Sequence, residues 1–182
     1  MLAIDAHPMA LELTANHPRI GAAERRRLTL RRASMEGLRL PACDLLNASF
    51  SLPFCRPEAF DRLWEAIHRA IRPGGVLACQ LFGDADSWAA LPDRTHHSRR
   101  QVGALLRGRY RVVHLREERA DGHDAEGYAK HWHVFHLVAR RCPTRPQAGP
   151  CRPDATGSPW PPTSPPGTPG RRGPGDRQEH RR

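Results

Sequence analysis

The segment from Pro57 to Phe82 constrains the fold more than any other part of the chain. Phe60, Leu63, Trp64, Ile67 and Ile71 recur at three- and four-residue intervals. A helix over Pro57–Ile71 lines them along one face, and that face must be buried. Pro73-Gly74-Gly75 breaks the helical period and signals a turn. Val76 to Phe82 is then an almost unbroken apolar run, the pattern of a central strand covered on both faces. A helix that turns directly into such a strand is half of a parallel α/β unit, which needs further strands beside it.

Those strands have candidates. Leu2-Ala3-Ile4 ends at Asp5 and reads as a short strand, followed by a helix from Pro8 to about His17 with Met9, Leu11 and Leu13 among its apolar residues. Leu28-Thr29-Leu30 and Asp44-Leu45-Leu46-Asn47-Ala48 are the next strands, the second running into the loop Ser49–Phe54. Ser98 to about Leu106 reads as a helix, and Tyr110–Glu117 and His131–Ala139 as two closing strands joined through Asp121, Gly122 and Gly127. The order is β, α, β, β, α, β, α, β, β, with the helix between the second and third strands missing or very short.

The pattern stops near Cys142. The 41 residues 142–182 hold 11 prolines and 6 glycines with almost no aliphatic side chains. Too little apolar area is available to offset the ordering entropy, so we expect one domain over 1–141 and a disordered Pro/Gly/Arg-rich tail over 142–182. Pro161-Pro162 and Pro165-Pro166 are able to adopt polyproline II, but a low-complexity extension without a partner is the preferred reading.

The net charge of +10 comes almost wholly from arginine, Lys130 being the single lysine. The charge is spread in short runs such as Arg25-Arg26-Arg27, and no recognition-helix, RRM or KH signature accompanies it. Non-specific nucleic-acid binding through the basic surface therefore ranks last among the functions considered. The 5 cysteines form no CxxC pair and are odd in number, which argues against a disulfide framework or a zinc ribbon and for reduced thiols. His131, His133 and His136 do not share one face of a strand, so no metal site is expected. No apolar run approaches membrane-spanning length, and no export signal is evident, so a cytoplasmic location without membrane contact is expected.

Three motifs carry a family resemblance. They are Asp5 at the end of Leu2-Ala3-Ile4, the run Asp44–Phe54, and Arg72-Pro73-Gly74-Gly75-Val76-Leu77-Ala78 after the amphipathic helix. In this order they resemble a class I S-adenosylmethionine-dependent methyltransferase entered at its second strand. The resemblance implies a Rossmann-like α/β fold lacking its first strand and glycine-rich loop, an N-terminally truncated domain. Gly21 is the only glycine among the first 30 residues.

The resemblance also implies a cofactor, S-adenosyl-L-methionine, and a set of residues for it. Asp5 stands where an acidic residue binds the ribose hydroxyls; taken alone, an Asp after a short strand is more often a turn residue or helix cap. Ser34, Met35 and Glu36 stand where the adenine is seated, or else cap a short helix. Asn47, Ala48 and Ser49 stand beside the cofactor at the crevice opened by the strand end. Gln80–Ala89, with its Phe-Gly-x-x-Asp-Ser-Trp-Ala run, resembles a small-molecule branch related to tellurite-resistance enzymes. Asp86 and Trp88 are accordingly the substrate-binding candidates, the alternative being a helix N-cap and a core indole. No general base is named, because the sulfonium is already activated.

The expected function is methyl transfer to a small-molecule acceptor. The alternative is a catalytically inactive Rossmann-like fragment or interaction module, given the missing glycine loop.

Overall fold

The computed structural model describes residues 1–143. The Pro/Gly/Arg-rich tail expected to be disordered lies outside the described residues from position 144 onward. The elements are β1 (Leu2–Asp5), α1 (Pro8–Ala15), α2 (Ala22–Arg25), β2 (Thr29–Arg32), β3 (Cys43–Ala48), α3 (Pro57–Ala70), β4 (Ile71–Gly83), β5 (His96–His97), α4 (Arg99–Leu106), β6 (Tyr110–His123) and β7 (Ala129–Arg141).

They form two sheets. β1 pairs with β2 in parallel, and a larger sheet has the order β3-β4-β7-β6 with β5 added to β4. β3 runs parallel to β4, while β7 is antiparallel to both β4 and β6. Among the described residues no strand pairs with the second edge of β1 or of β3. That gap is where the sequence resemblance puts a first strand.

The core is built by α3 as its periodicity requires. Phe60, Leu63, Trp64 and Ile67 are 2–4% exposed and pack with Leu77, Cys79 and Leu81 of β4, Phe135, Leu137 and Ala139 of β7, and Val102 and Leu106 of α4. Each large side chain buried this way contributes roughly 1.5–3 kcal/mol. α4 starts with a capping box in which Ser98 Oγ accepts from the Gln101 N–H and the Gln101 side chain accepts from the Ser98 N–H.

The structure departs from the sequence reading in four places. The break expected at Pro73-Gly74-Gly75 lies inside β4, which begins at Ile71 directly after α3. The register with β3 shifts between Cys43 and Leu45, and Gly74 takes φ +83°, so the residues expected to form a turn are absorbed as an irregularity of the strand. The two closing strands extend to His123 and from Ala129, and Asp124–Gly127 makes the turn. α2 is an additional helix of four residues, whereas the absence of a helix between β2 and β3 agrees with the missing or very short one expected there, the chain turning through Gly37 at φ +76°. Finally, α1 packs only on the small sheet, leaving Met9 and Leu13 53% and 64% exposed.

Candidate functional site

The carboxyl ends of β1, β3 and β4 carry the residues with chemistry. At β1, the Asp5 carboxylate accepts the His7 N–H at 2.7 Å through Oδ1, and its carbonyl accepts the Ala33 N–H at 3.0 Å. The residue is exposed. A carboxylate fixed in this way keeps an acceptor for a hydroxyl, the chemistry a ribose requires.

Ser34, Met35 and Glu36 follow β2. Ser34 Oγ accepts the Glu36 N–H at 3.3 Å, and the half-buried Met35 packs against the core. Glu36 and Gly37 form one side of an open cleft of about 370 Å³, with Arg56, Glu58, Ala59 and Arg62 from the start of α3 on the other. Met35 adjoins this cleft through its neighbour Glu36 without lining it. For the methionine part of such a cofactor the described residues offer no glycine-rich turn between β1 and β3.

At the end of β3, Ala48 is buried and Ser49 Oγ donates to Asn47 Oδ1 at 3.1 Å. Phe50 has φ +47°, the only non-glycine residue with positive φ among the described residues, and its N–H is held by Gln80 Oε1 at 3.0 Å. The strain at this strand end is retained because β4 supplies the acceptor.

Beyond β4 the geometry is denser. The β4–β7 register sets Phe82 opposite Val134, so residues 84–88 run along the first residues of β7. Asp86 caps the short 3-10 turn Ser87–Ala90, accepting the Trp88 N–H at 3.0 Å, and its other oxygen accepts the His133 N–H at 3.1 Å. It also forms an ion pair with Lys130, both side chains being essentially inaccessible. The Lys130 ammonium lies 3.9 Å from the centroid of Trp88 and 4.3 Å from that of Trp132, within cation–π range of both. Phe54 and Phe82 complete an aromatic cluster with the two indoles, at centroid distances of 5.7–6.3 Å.

His133 ties this loop to the hairpin. Its Nδ1 accepts the Ala85 N–H at 3.0 Å, which assigns the ring proton to Nε2, 3.1 Å from Glu117. A Cβ at Gly83 would sit 2.1 Å from His133 Nδ1, so glycine is required for the ring to lie against β4. His131 and His136 pair with Asp121 and Glu118, so the three histidines face three different carboxylates of β6.

His96 and His97 lie beside the cluster. Burial lowers the pKa of both, that of His97 to about 4.

The structure therefore brings Asn47, Ala48, Ser49, Asp86 and Trp88 to the ends of adjacent strands, with Asp5 and Ser34–Glu36 on the small sheet and its exit. The sequence reading missed Phe54, Arg94, Lys130, Trp132 and His133 as site residues. Only Lys130 had a signal, as the single lysine of an arginine-rich chain standing next to His-Trp-His.

No family model and no curated protein matches the sequence. Solved structures do match the fold. TehB from Haemophilus influenzae superposes with a TM-score of 0.57 at 10% identity, covering 76% of this chain and 49% of that one. A SAM-dependent methyltransferase from Methanosarcina mazei gives 0.57 at 15% identity, covering 78% and 81%. The N-methyltransferase NodS from Bradyrhizobium japonicum WM9, in complex with S-adenosyl-L-homocysteine, gives 0.53 at 14% identity, covering 77% and 65%. The chain thus spans about half the length of TehB, at 49%. Its mixed α/β architecture around a central sheet is the fold of the class I S-adenosylmethionine-dependent methyltransferases.

Proposed function

We propose that this chain binds S-adenosyl-L-methionine and transfers its methyl group to a small-molecule acceptor. The observation that carries the reading is the convergence, at the carboxyl ends of β3 and β4, of a strained loop and a buried charged and aromatic cluster. Open parallel sheets take their ligands at such a crevice.

In this reading Asp5 accepts ribose hydroxyls, and Met35, with Ser34 and Glu36, seats the adenine. Asn47, Ala48 and Ser49 line the methyl donor. The cofactor supplies an activated methyl group on a sulfonium. The chain's own residues have to position the acceptor in line and keep water out. Trp88 touches the acceptor, whereas Asp86, fully engaged with Lys130, Trp88 and His133, acts as a positioning residue for that loop. No residue is assigned as a general base.

A second reading, an inactive Rossmann-like fragment or interaction module, is supported by the edges of β1 and β3 that no strand pairs among the described residues. Unpaired strand edges are templates for pairing with another chain. Isothermal titration of S-adenosylmethionine and S-adenosylhomocysteine into the full chain separates the two. Saturable binding, weakened by Asp5→Asn, is expected, and no binding of either compound would overturn the methyl-transfer reading. No helix among the described residues is long and apolar enough to cross a membrane.

A further inference from the structure

One charge at the crevice is not accounted for by methyl transfer alone. Lys130 is neutralised by Asp86, and burial lowers the pKa of His96 and that of His97, the latter to about 4. Arg94 keeps its charge. Its guanidinium carbon lies 4.5 Å from the centroid of Trp88 and 5.6 Å from that of Phe54. It is held there by its neighbour: the Thr95 N–H donates to the Pro53 carbonyl at 2.8 Å and Thr95 Oγ1 to the Cys55 carbonyl at 2.6 Å. These bonds lock the Arg94 backbone against the loop that leaves β3.

Among the described residues Arg94 forms an ion pair with Asp93, adjacent in sequence, whose side chain is 65% exposed while that of Arg94 is 21% exposed. A pair with one solvated partner contributes little and exchanges readily. A guanidinium stacked on rings keeps in-plane N–H donors free, the arrangement that recognises a carboxylate. Beside it, Phe54 leaves 44% of its surface open, apolar area that a flat ring can cover.

We propose that the acceptor is an aromatic carboxylate bearing a second, nucleophilic heteroatom, its carboxylate held by Arg94 and its ring laid on Phe54. This rests on the methyl-transfer reading and names the substrate class of that same site. The acceptor's hydroxyl or thiol heteroatom forms the new bond to the methyl carbon as the carbon–sulfur bond of the donor breaks. The electron pair returns to sulfur, giving S-adenosylhomocysteine, and the heteroatom's proton passes to water. The carboxylate remains unchanged as the handle.

The test uses the full chain and two readouts. In the first, 3-hydroxybenzoate is titrated directly into the protein with S-adenosylhomocysteine present. Saturable binding is expected, weakened about tenfold by Arg94→Gln and tightened several-fold by Asp93→Asn, which removes the competing carboxylate from an exposed position where folding is not at risk. No saturable binding up to about 10 mM, or equal binding of 3-hydroxybenzamide, overturns the proposal; millimolar affinity is the floor for a specific site. In the second, S-adenosylhomocysteine formation is followed with 3-hydroxybenzoate, 2-mercaptobenzoate and their neutral amides. A kcat/KM at least tenfold higher for the acids is expected, lost in Arg94→Gln chiefly through KM. Turnover of the amides at equal or higher efficiency overturns the proposal while leaving methyl transfer standing. Failure of S-adenosylmethionine itself to bind removes both.

Discussion

Lys130→Met is the most informative single substitution in this chain. Lys130 and Asp86 have side chains 1% and 0% exposed, so replacing the ammonium by an apolar group of similar length strands a carboxylate in the interior. Breaking a buried pair in this way costs about 3–5 kcal/mol. Asp86 retains the Trp88 and His133 N–H groups at 3.0 and 3.1 Å, which moves the expectation to the lower end. The lost cation–π contacts with Trp88 and Trp132 cost up to about 2 kcal/mol, partly recovered by the thioether against the same rings. A net loss of about 3 kcal/mol corresponds to a fall in Tm of roughly 6–12 °C for a chain of this size. Urea and thermal unfolding followed by circular dichroism measure it. The double variant Lys130→Met with Asp86→Asn keeps an acceptor for both N–H groups without the charge, and most of the loss is expected to return. A single variant destabilised by less than about 1 kcal/mol, or a double variant as unstable as the single, would refute the reasoning.

Three further outcomes are expected. Gly83→Ala places a Cβ 2.1 Å from the buried His133 ring, so a loss of over about 2 kcal/mol is expected in urea unfolding, smaller when His133→Ala is present in the same chain. His97, held at about 4 by burial, binds its proton more readily when unfolded; its contribution is complete above about pH 6.5 and is lost as pH falls toward 4. The His97→Gln variant should therefore lose less stability than the parent between pH 7 and 4.5, by up to about 3 kcal/mol, and parallel stability profiles would contradict this. Asp5→Asn should weaken S-adenosylmethionine binding by about tenfold in calorimetry, a loss of about 1.4 kcal/mol, with the melting temperature of the unliganded chain unchanged because Asp5 is exposed.

Much of this fold is legible in the chain. The Phe60-Leu63-Trp64-Ile67 stripe specifies α3, and the apolar run after it specifies a buried strand, because both are periodicities within a dozen residues. Asp5, Asn47–Ser49, Asp86 and Trp88 come from the family resemblance and not from periodicity, each standing beside a recognisable strand end. What the chain alone does not disclose is the partner of each. Pro73-Gly74-Gly75 reads as a break, and only the pairing of Leu45 with Val76 makes it an irregularity within β4.

Lys130 reads as an incidental lysine, Arg94 as one basic residue among many and His133 as strand polarity. Their roles depend on contacts with residues about 40 or more positions away, such as Asp86 with Lys130, Thr95 with Cys55 and Ala85 with His133. Such contacts follow from the antiparallel register of β7 on β4, which many apolar strands could satisfy in more than one alignment. Local periodicity therefore determined the elements and their order. Tertiary structure decided which charge is neutralised, which remains open at the crevice and which carboxylate is occupied, because those depend on distance in space and on burial rather than on position in the chain.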